Sequence, residues 1–288
     1  MAYEPITLKE AWTRLDGRRL LYRTNSGPTP PGAPTLVHVH GFAVSGRYLM
    51  PTAWRLAPDF PTFVPDLPGF GRSQRPPHPF TIPQLADALA RFMDAVGLER
   101  AVLLGNSLGC PITAQFVHAH RDRIQGAIFC SPAGGLYNQP FLRGVSQLLR
   151  VFLREPLDLA PVTAGDYLHY GVLPSINLAR SMLAQPTLER IAEMTVPTLI
   201  VLGSRDPLVN ESRARVMAPQ LPHVTAVVID GAAHALNWSH PEQLANVVRS
   251  WMLGRPIHDD PAVPGRLRII SLARDVARVP EELAAPPS

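Results

Sequence analysis

The run Gly105-Asn106-Ser107-Leu108-Gly109 sets a serine between two glycines, with the apolar stretch Ala101 to Leu104 before it and a helical pattern after it. A serine hydroxyl is a weak nucleophile at neutral pH. It does acyl-transfer chemistry only if the turn exposes its Oγ and a neighbouring base takes its proton. A sharp strand-to-helix turn meets the first condition, and it needs small residues two before and two after the serine, where strand and helix pass closely. Gly105 and Gly109 are those residues, and Asn106 completes the turn. A helix opening at Leu108 would aim free N–H groups and the positive end of its dipole at developing negative charge. Pro111 fits in the first turn of that helix. The motif is short enough to recur by chance, so the bland alternative is an ordinary turn with an unreactive serine.

Partners for Ser107 decide between the two. Of ten histidines, His234 lies in the loop Gly231-Ala232-Ala233-His234, just past an apolar strand pattern ending at Ile229. That position can carry an imidazole over the C-terminal edge of a parallel sheet, where Ser107 is also expected. Asp206 follows the strand pattern Thr198 to Leu202 through Gly203-Ser204-Arg205 and is the expected acid that orients the base. Asp230 is the rival acid, though at a strand end it could equally satisfy turn amides. His240 reads as a helix-start surface residue, His118 and His120 as part of the helix behind the turn, and His38 as a packing residue. An oxyanion requires two N–H donors. Leu108 supplies one as the residue after the nucleophile, and Phe42, in His40-Gly41-Phe42, is the best-placed second.

These groups need a scaffold. Ile6 to Arg23 reads as two strands around a turn at Asp16-Gly17. Short apolar strands follow at Thr35 to His40, Thr62 to Pro65, Arg100 to Leu104 and Ile124 to Cys130, with helical patterns at Arg47 to Ala57, Ile82 to Val96 and from Leu108 toward His120. Such alternation predicts an α/β fold, a mostly parallel sheet covered by helices on both faces. Alternation stops at Ser131. Phe141 to Leu153, Tyr167 to Leu173 and Ile176 to Leu183 then show helical spacing, before strands return at Thr198 to Leu202 and Val224 to Ile229 with helices at Glu211 to Ala218 and Pro241 to Leu253. The expected organisation is a core of residues 1–132 and 195–254, a helical cap inserted at 133–194, and a C-terminal extension at 255–288. In that extension Leu267 to Val279 could form a short helix carrying Arg268, Arg274 and Arg278; the extension is expected to pack on the surface or mediate self-association, which leaves room for a homo-oligomer, with a largely flexible segment as the alternative.

Size and charge narrow the functional classes. A chain of 288 residues, 46% of them hydrophobic, suits one domain with an insertion. Its net charge of +4 is spread along the chain, so no nucleic-acid partner is expected. Cys110 and Cys130 lack ligand neighbours, which argues against a disulfide framework and against a metal. No motif calls for a cofactor. The start, MAYEPITLKEAW, has no secretory pattern, and no apolar stretch is long enough to span a bilayer, so the expectation is a cytoplasmic protein without integral membrane association.

Taken together, His40-Gly41-Phe42, Asp66 through Ser73, Gly105 through Gly109, Gly203 through Asp206 and Gly231 through His234 resemble the α/β-hydrolase superfamily over Leu20 to Leu253. The order Ser107, Asp206, His234 is the one that fold uses. The resemblance implies an acyl-serine mechanism, with the Phe42 and Leu108 amides as the oxyanion hole. Within the superfamily the chain is most similar to capped carboxylesterases and to meta-cleavage-product hydrolases, which break carbon–carbon bonds. The latter commonly carry a Gly-rich segment after His-Gly and an aromatic residue after the histidine, whereas this chain has Phe42-Ala43-Val44-Ser45-Gly46 and Ala235. The expected substrate is a small apolar ester, its acyl or aromatic group received by cap residues among Tyr137, Phe141, Leu148, Leu149, Phe152, Tyr167 and Tyr170, with Arg180 and Trp238 as candidate contacts. Carbon–carbon hydrolysis and a noncatalytic ligand-binding protein are the competing readings.

Overall fold

A computed structural model describes residues 7–132, 146, 149–151, 153–209 and 211–274. Tyr137, Phe141, Leu148, Phe152 and Arg278 lie outside the described residues.

The first described elements are β1 (Leu8–Leu15) and β2 (Arg18–Asn25), paired antiparallel with Leu15 opposite Arg18. The two-residue loop between them, Asp16-Gly17, has φ of 50° and 78°. Positive φ at both positions is what a tight hairpin matching the strand twist demands, and Asp-Gly supplies it cheaply. Then come β3 (Leu36–Val39), β4 (Thr62–Pro65), β5 (Ala101–Asn106), β6 (Ile124–Cys130), β7 (Thr198–Gly203), β8 (Val224–Ile229) and β9 (Leu267–Ser271). All nine join one sheet in the order β1-β2-β4-β3-β5-β6-β7-β8-β9. From β4 through β8 the pairing is parallel, and the hairpin and β9 add antiparallel edges.

Every residue of β3, β5, β7 and β8 is buried. The sheet is therefore covered on both faces, and alternate residues serve different cores. Val37, Leu103 and Phe129 pack with α2 (Ile82–Ala95) and α3 (Gly109–Ala119), whereas Leu36, Val102, Leu104 and Ile128 pack with Leu56 of α1 (Met50–Leu56) and Leu244 and Val248 of the later helix Pro241–Met252. Helix α2 begins at a capping box, Thr81 with Gln84, which satisfies two of its otherwise open N-terminal donors.

The strand order reverses direction at β3: the chain leaves it for β4 on one side and returns to β5 on the other. Crossovers run away from each other there, opening a crevice beyond the C-terminal ends of β3 and β5. The loops bearing Phe42 and Ser107 both start at that crevice.

Between β6 and β7 the described residues form helices and turns: α4 (Ala160–Tyr170), α5 (Val172–Leu183) and α6 (Thr187–Glu193), after a short 3-10 turn at Leu157–Leu159. The helical spacing expected across Tyr167 to Leu173 is cut at Gly171, whose φ of 91° ends α4. Past β7 lie α7 (Glu211–Met217), α8 (Leu236–Ser239) and α9 (Pro241–Met252). The helix expected over Arg47 to Ala57 is a 3-10 turn, Gly46–Leu49, followed by α1 with Pro51 in its first turn.

One expectation is overturned. The described part of Leu267 to Val279 is not helical: Leu267–Ser271 is β9, antiparallel to β8. The reason is the open edge that β8 would otherwise leave, a row of unpaired backbone groups that an extended segment satisfies. Arg268 locks it there, donating from Nε to Asp230 at 2.8 Å and from Nη1 to Glu211 at 2.7 Å.

Arg23 of β2 and Asp66 beyond β4 make a buried ion pair at 2.8 Å, their side chains 5% and 0% exposed. Asp66 also accepts from the Gly46 amide at 2.8 Å, so the pair anchors the loop that follows β3. Removing one member strands a charge in the interior. Arg23→Ala is therefore expected to cost about 3–5 kcal/mol of stability, read as a lower denaturation midpoint in urea.

Candidate active site

Ser107 sits between β5 and α3 with φ of 57°, in the left-handed region. The turn is that sharp because its flanks are in contact. A Cβ on Gly105 would strike the Gly109 backbone and lie 2.8 Å from Thr113 Oγ1, and one on Gly109 would strike the Val39 carbonyl of β3. Only glycine fits either place, so the motif's spacing is explained by strand, helix and neighbouring strand meeting at one point. The Ser107 amide donates to the Cys130 carbonyl at 3.1 Å, fixing the turn to β6.

Asn106 has a role beyond filling the turn. Its Oδ1 accepts from the Tyr48 hydroxyl at 2.7 Å, and its Nδ2 donates to the carbonyls of Cys130 at 3.1 Å and His234 at 3.2 Å. The residue before the serine thus ties β5, β6, the 3-10 turn after β3 and the histidine loop together.

His234 lies on the loop after β8, and its Nδ1 is 2.7 Å from Asp206 Oδ2, on the loop after β7. Gly203, at the end of β7, lets the Ala232 and Ala233 carbonyls pass so close that a Cβ there would be 2.7 Å from the latter. The second Asp206 oxygen accepts from the Leu208 amide at 2.8 Å. Burial alone would raise the Asp206 carboxyl, but the His234 charge and the hydrogen bonds from His234 and Leu208 hold it below the ordinary carboxylate range. For His234 burial works to lower the imidazole, and the Asp206 carboxylate overcomes it, so the net direction is upward. With Nδ1 engaged by the acid, Nε2 is the nitrogen left for proton exchange.

Ser107 and His234 line one cavity of about 590 Å³. Phe42, Val44, Leu159, Val172 and Ile176 contribute apolar walls, with Tyr48, Tyr167 and Glu155 as polar members. The Leu108 amide follows Ser107 directly, and Phe42 borders the same cavity on the loop after β3. Among the described residues neither amide donates to a backbone partner.

Other candidates fall elsewhere. Asp230 is engaged by Arg268 and not by His234. Arg180 is exposed on α5, and Trp238 of α8 packs beside Leu49 and Ala53; neither lines this cavity. His38 is wholly buried, and desolvation pushes it down to about 3. His40 is buried as well, its Nε2 accepting from the Leu67 amide at 3.0 Å, which requires a neutral ring that braces β3 against the loop after β4. Cys110 and Cys130 are free and buried, and Cys110 Sγ donates to the Gly105 carbonyl at 3.2 Å beneath the turn.

Sequence reading missed Tyr48, Glu155 and Asp166. No motif marks them. Each reaches its partner across 58, 80 or 121 residues of chain, a pairing that only the folded topology brings about.

Residues 36–247 match the alpha/beta hydrolase family model, and the chain belongs to that family. Its relatives include esterases. A pimeloyl-[acyl-carrier protein] methyl ester esterase of Pectobacterium carotovorum is 31% identical over 247 residues, spanning 75% of this chain and 93% of that protein. A 2-hydroxy-6-oxononadienedioate/2-hydroxy-6-oxononatrienedioate hydrolase of Pseudomonas putida is 26% identical over 255 residues, 77% and 88% of the two chains. Among solved structures, a thermophilic esterase from Thermogutta terrifontis superposes with a TM-score of 0.66 at 24% identity, over 84% of this chain and 97% of that one. No helix among the described residues is long and apolar enough to cross a membrane.

Proposed function

We propose that the protein hydrolyses small, uncharged, apolar carboxylic esters through an acyl-enzyme on Ser107, with residues 133–194 acting as a cap over the site. The observation that carries this reading is the buried Asp206–His234 pair at 2.7 Å sharing one cavity with a serine held at φ 57°. A noncatalytic binding protein has no physical need for that set.

In this reading His234 Nε2 takes the Ser107 proton as Oγ attacks the ester carbonyl, and Asp206 stabilises the imidazolium that forms. The Phe42 and Leu108 amides bind the tetrahedral oxyanion, reinforced by the N-terminal end of α3. His234 then protonates the departing alkoxide, and the alcohol leaves. Water enters, gives its proton to the same imidazole and attacks the acyl-serine; collapse of the second tetrahedral species restores Ser107 and frees the acid. The two acyl-transfer steps thus combine covalent catalysis by Ser107 with proton transfer through His234 and oxyanion binding by two backbone amides.

The choice of an uncharged ester rests on the lining. Its described members include no Arg or Lys, and one is a carboxylate, Glu155. A carboxylate-bearing substrate would bring negative charge into a desolvated site beside another, which favours neutral esters over the dioate substrates named for the Pseudomonas putida relative. The test compares a neutral alkyl ester with an analogue of equal length ending in a carboxylate. A preference of about 10²-fold in kcat/KM for the neutral ester is expected, on the order of 3 kcal/mol of transition-state discrimination. Equal rates, or turnover of a ring-fission dienone with none of any ester, would contradict it.

A further inference from the structure

We propose that Glu155 and Asp166, two carboxylates of the insertion, are positioning residues that clamp the histidine loop and the oxyanion loop respectively. The inference rests on the serine-hydrolase reading above.

Glu155 Oε1 accepts the Ala235 amide at 2.9 Å, one residue past His234, from a position 80 residues away in the chain. Asp166, on α4, accepts twice through Oδ2: from the Ser45 amide at 2.8 Å and from the Ser45 hydroxyl at 2.6 Å. Ser45 is three residues past Phe42 and its Oγ also caps the 3-10 turn that carries Tyr48. Each catalytic loop is thus gripped at its backbone by a different carboxylate of the same insertion.

Simple docking of the insertion does not explain this choice of contact. Apolar side chains would bury the same area without desolvating two acids, and one oxygen, Glu155 Oε2, is buried with no partner among the described residues. Burial accordingly pushes the Glu155 carboxyl upward. Carboxylate-to-amide bonds do what apolar contacts cannot: they fix the orientation of a peptide plane. The oxyanion loop needs an outside hold, because Ala43, next to Phe42, has φ of 55° without being glycine.

Asp206, from the loop after β7, and Glu155 are the charged groups that act on His234, and both insertion carboxylates act on Tyr167 of α4. Asp166 also acts on His40 at the end of β3. The two carboxylates hold different loops through separate hydrogen bonds, so each can be removed without the other.

The experiment makes Glu155→Ala and Asp166→Ala in the full chain, checks folding by circular dichroism, and follows amide hydrogen exchange together with ester kinetics. Glu155→Ala is expected to speed exchange about 10-fold around Ala235 and not around Ser45, and Asp166→Ala the reverse. Each should lower kcat by about 10-fold with KM nearly unchanged, because misplaced loops penalise the transition state more than ground-state binding. Glu155→Gln, which keeps an acceptor but not the charge, should restore most of kcat and move its acidic limb to lower pH, since His234 loses a neighbour that favours its protonated form. Should an alanine variant not fold, Glu155→Asp, a methylene too short, or Ser45→Ala, lacking the hydroxyl bond, takes its place with the same expected exchange pattern. Parent-like exchange in both loops of the folded variants, or an effect on KM alone, would overturn the proposal. If the parent protein turns over no ester, the serine-hydrolase reading fails, and the exchange pattern still decides the clamps.

Discussion

Ser107→Ala is expected to lower ester turnover per folded molecule by about 10⁴-fold or more. The loss is that large because in the proposed mechanism Oγ is the bond-forming atom, and the other groups act only on intermediates it creates. The fold should survive. Alanine and serine pay a similar penalty at φ 57°, and the turn is held from outside by Gly105, Gly109 and the Ser107 amide bond to Cys130. A circular dichroism spectrum and melting midpoint close to the parent, with residual activity no greater than that of a mock preparation, are the expected result. Near-parent turnover in the folded variant would mean that another group is the nucleophile.

Asp206→Asn is expected to cost a comparable factor, about 10⁴-fold in kcat near neutral pH, through the histidine and not through the substrate. Asp206 Oδ2 accepts from His234 Nδ1, which keeps the remaining lone pair on Nε2 where Ser107 needs it. An amide can donate to Nδ1 instead and so stabilise the wrong tautomer. The pH profile carries a second signature. In the proposed mechanism His234 serves as a base only when neutral, so the parent rate is expected to rise with pH through the His234 pKa, which Asp206 holds above the ordinary imidazole value against the pull of burial. Losing the carboxylate charge lowers that pKa, and the acidic limb of log kcat moves to lower pH while the plateau drops. A limb that stays in place, or moves upward, would show that Asp206 does not supply the charge His234 senses.

Much of this site was legible because each part is a short local signal. The glycines around Ser107 report a turn too crowded for any Cβ, and the apolar runs ending near Gly203 and Ile229 report buried parallel strands whose C-terminal loops must meet. Asp206 could be preferred to Asp230 on position alone, and Arg268 occupies the rival. What was not legible is long-range or conditional. Leu267–Ser271 has an apolar spacing compatible with a helix, and only the exposed edge of β8 selects the strand. Arg180 and Trp238 had plausible chemistry, but helix rotation turns one to solvent and packing absorbs the other. Glu155 and Asp166 gave no signal, since their partners are backbone amides on loops fixed by other elements.

The central claim, that Ser107 is the activated nucleophile of this cavity, is tested most directly by treating the purified protein with a neutral serine-directed phosphonate ester and mapping the adduct by peptide mass spectrometry. One phosphonyl group on Ser107 of the parent protein is expected. His234→Ala should label far more slowly and Ser107→Ala not at all. A folded parent protein that stays unlabelled, or carries the adduct on a residue other than Ser107, would contradict the claim.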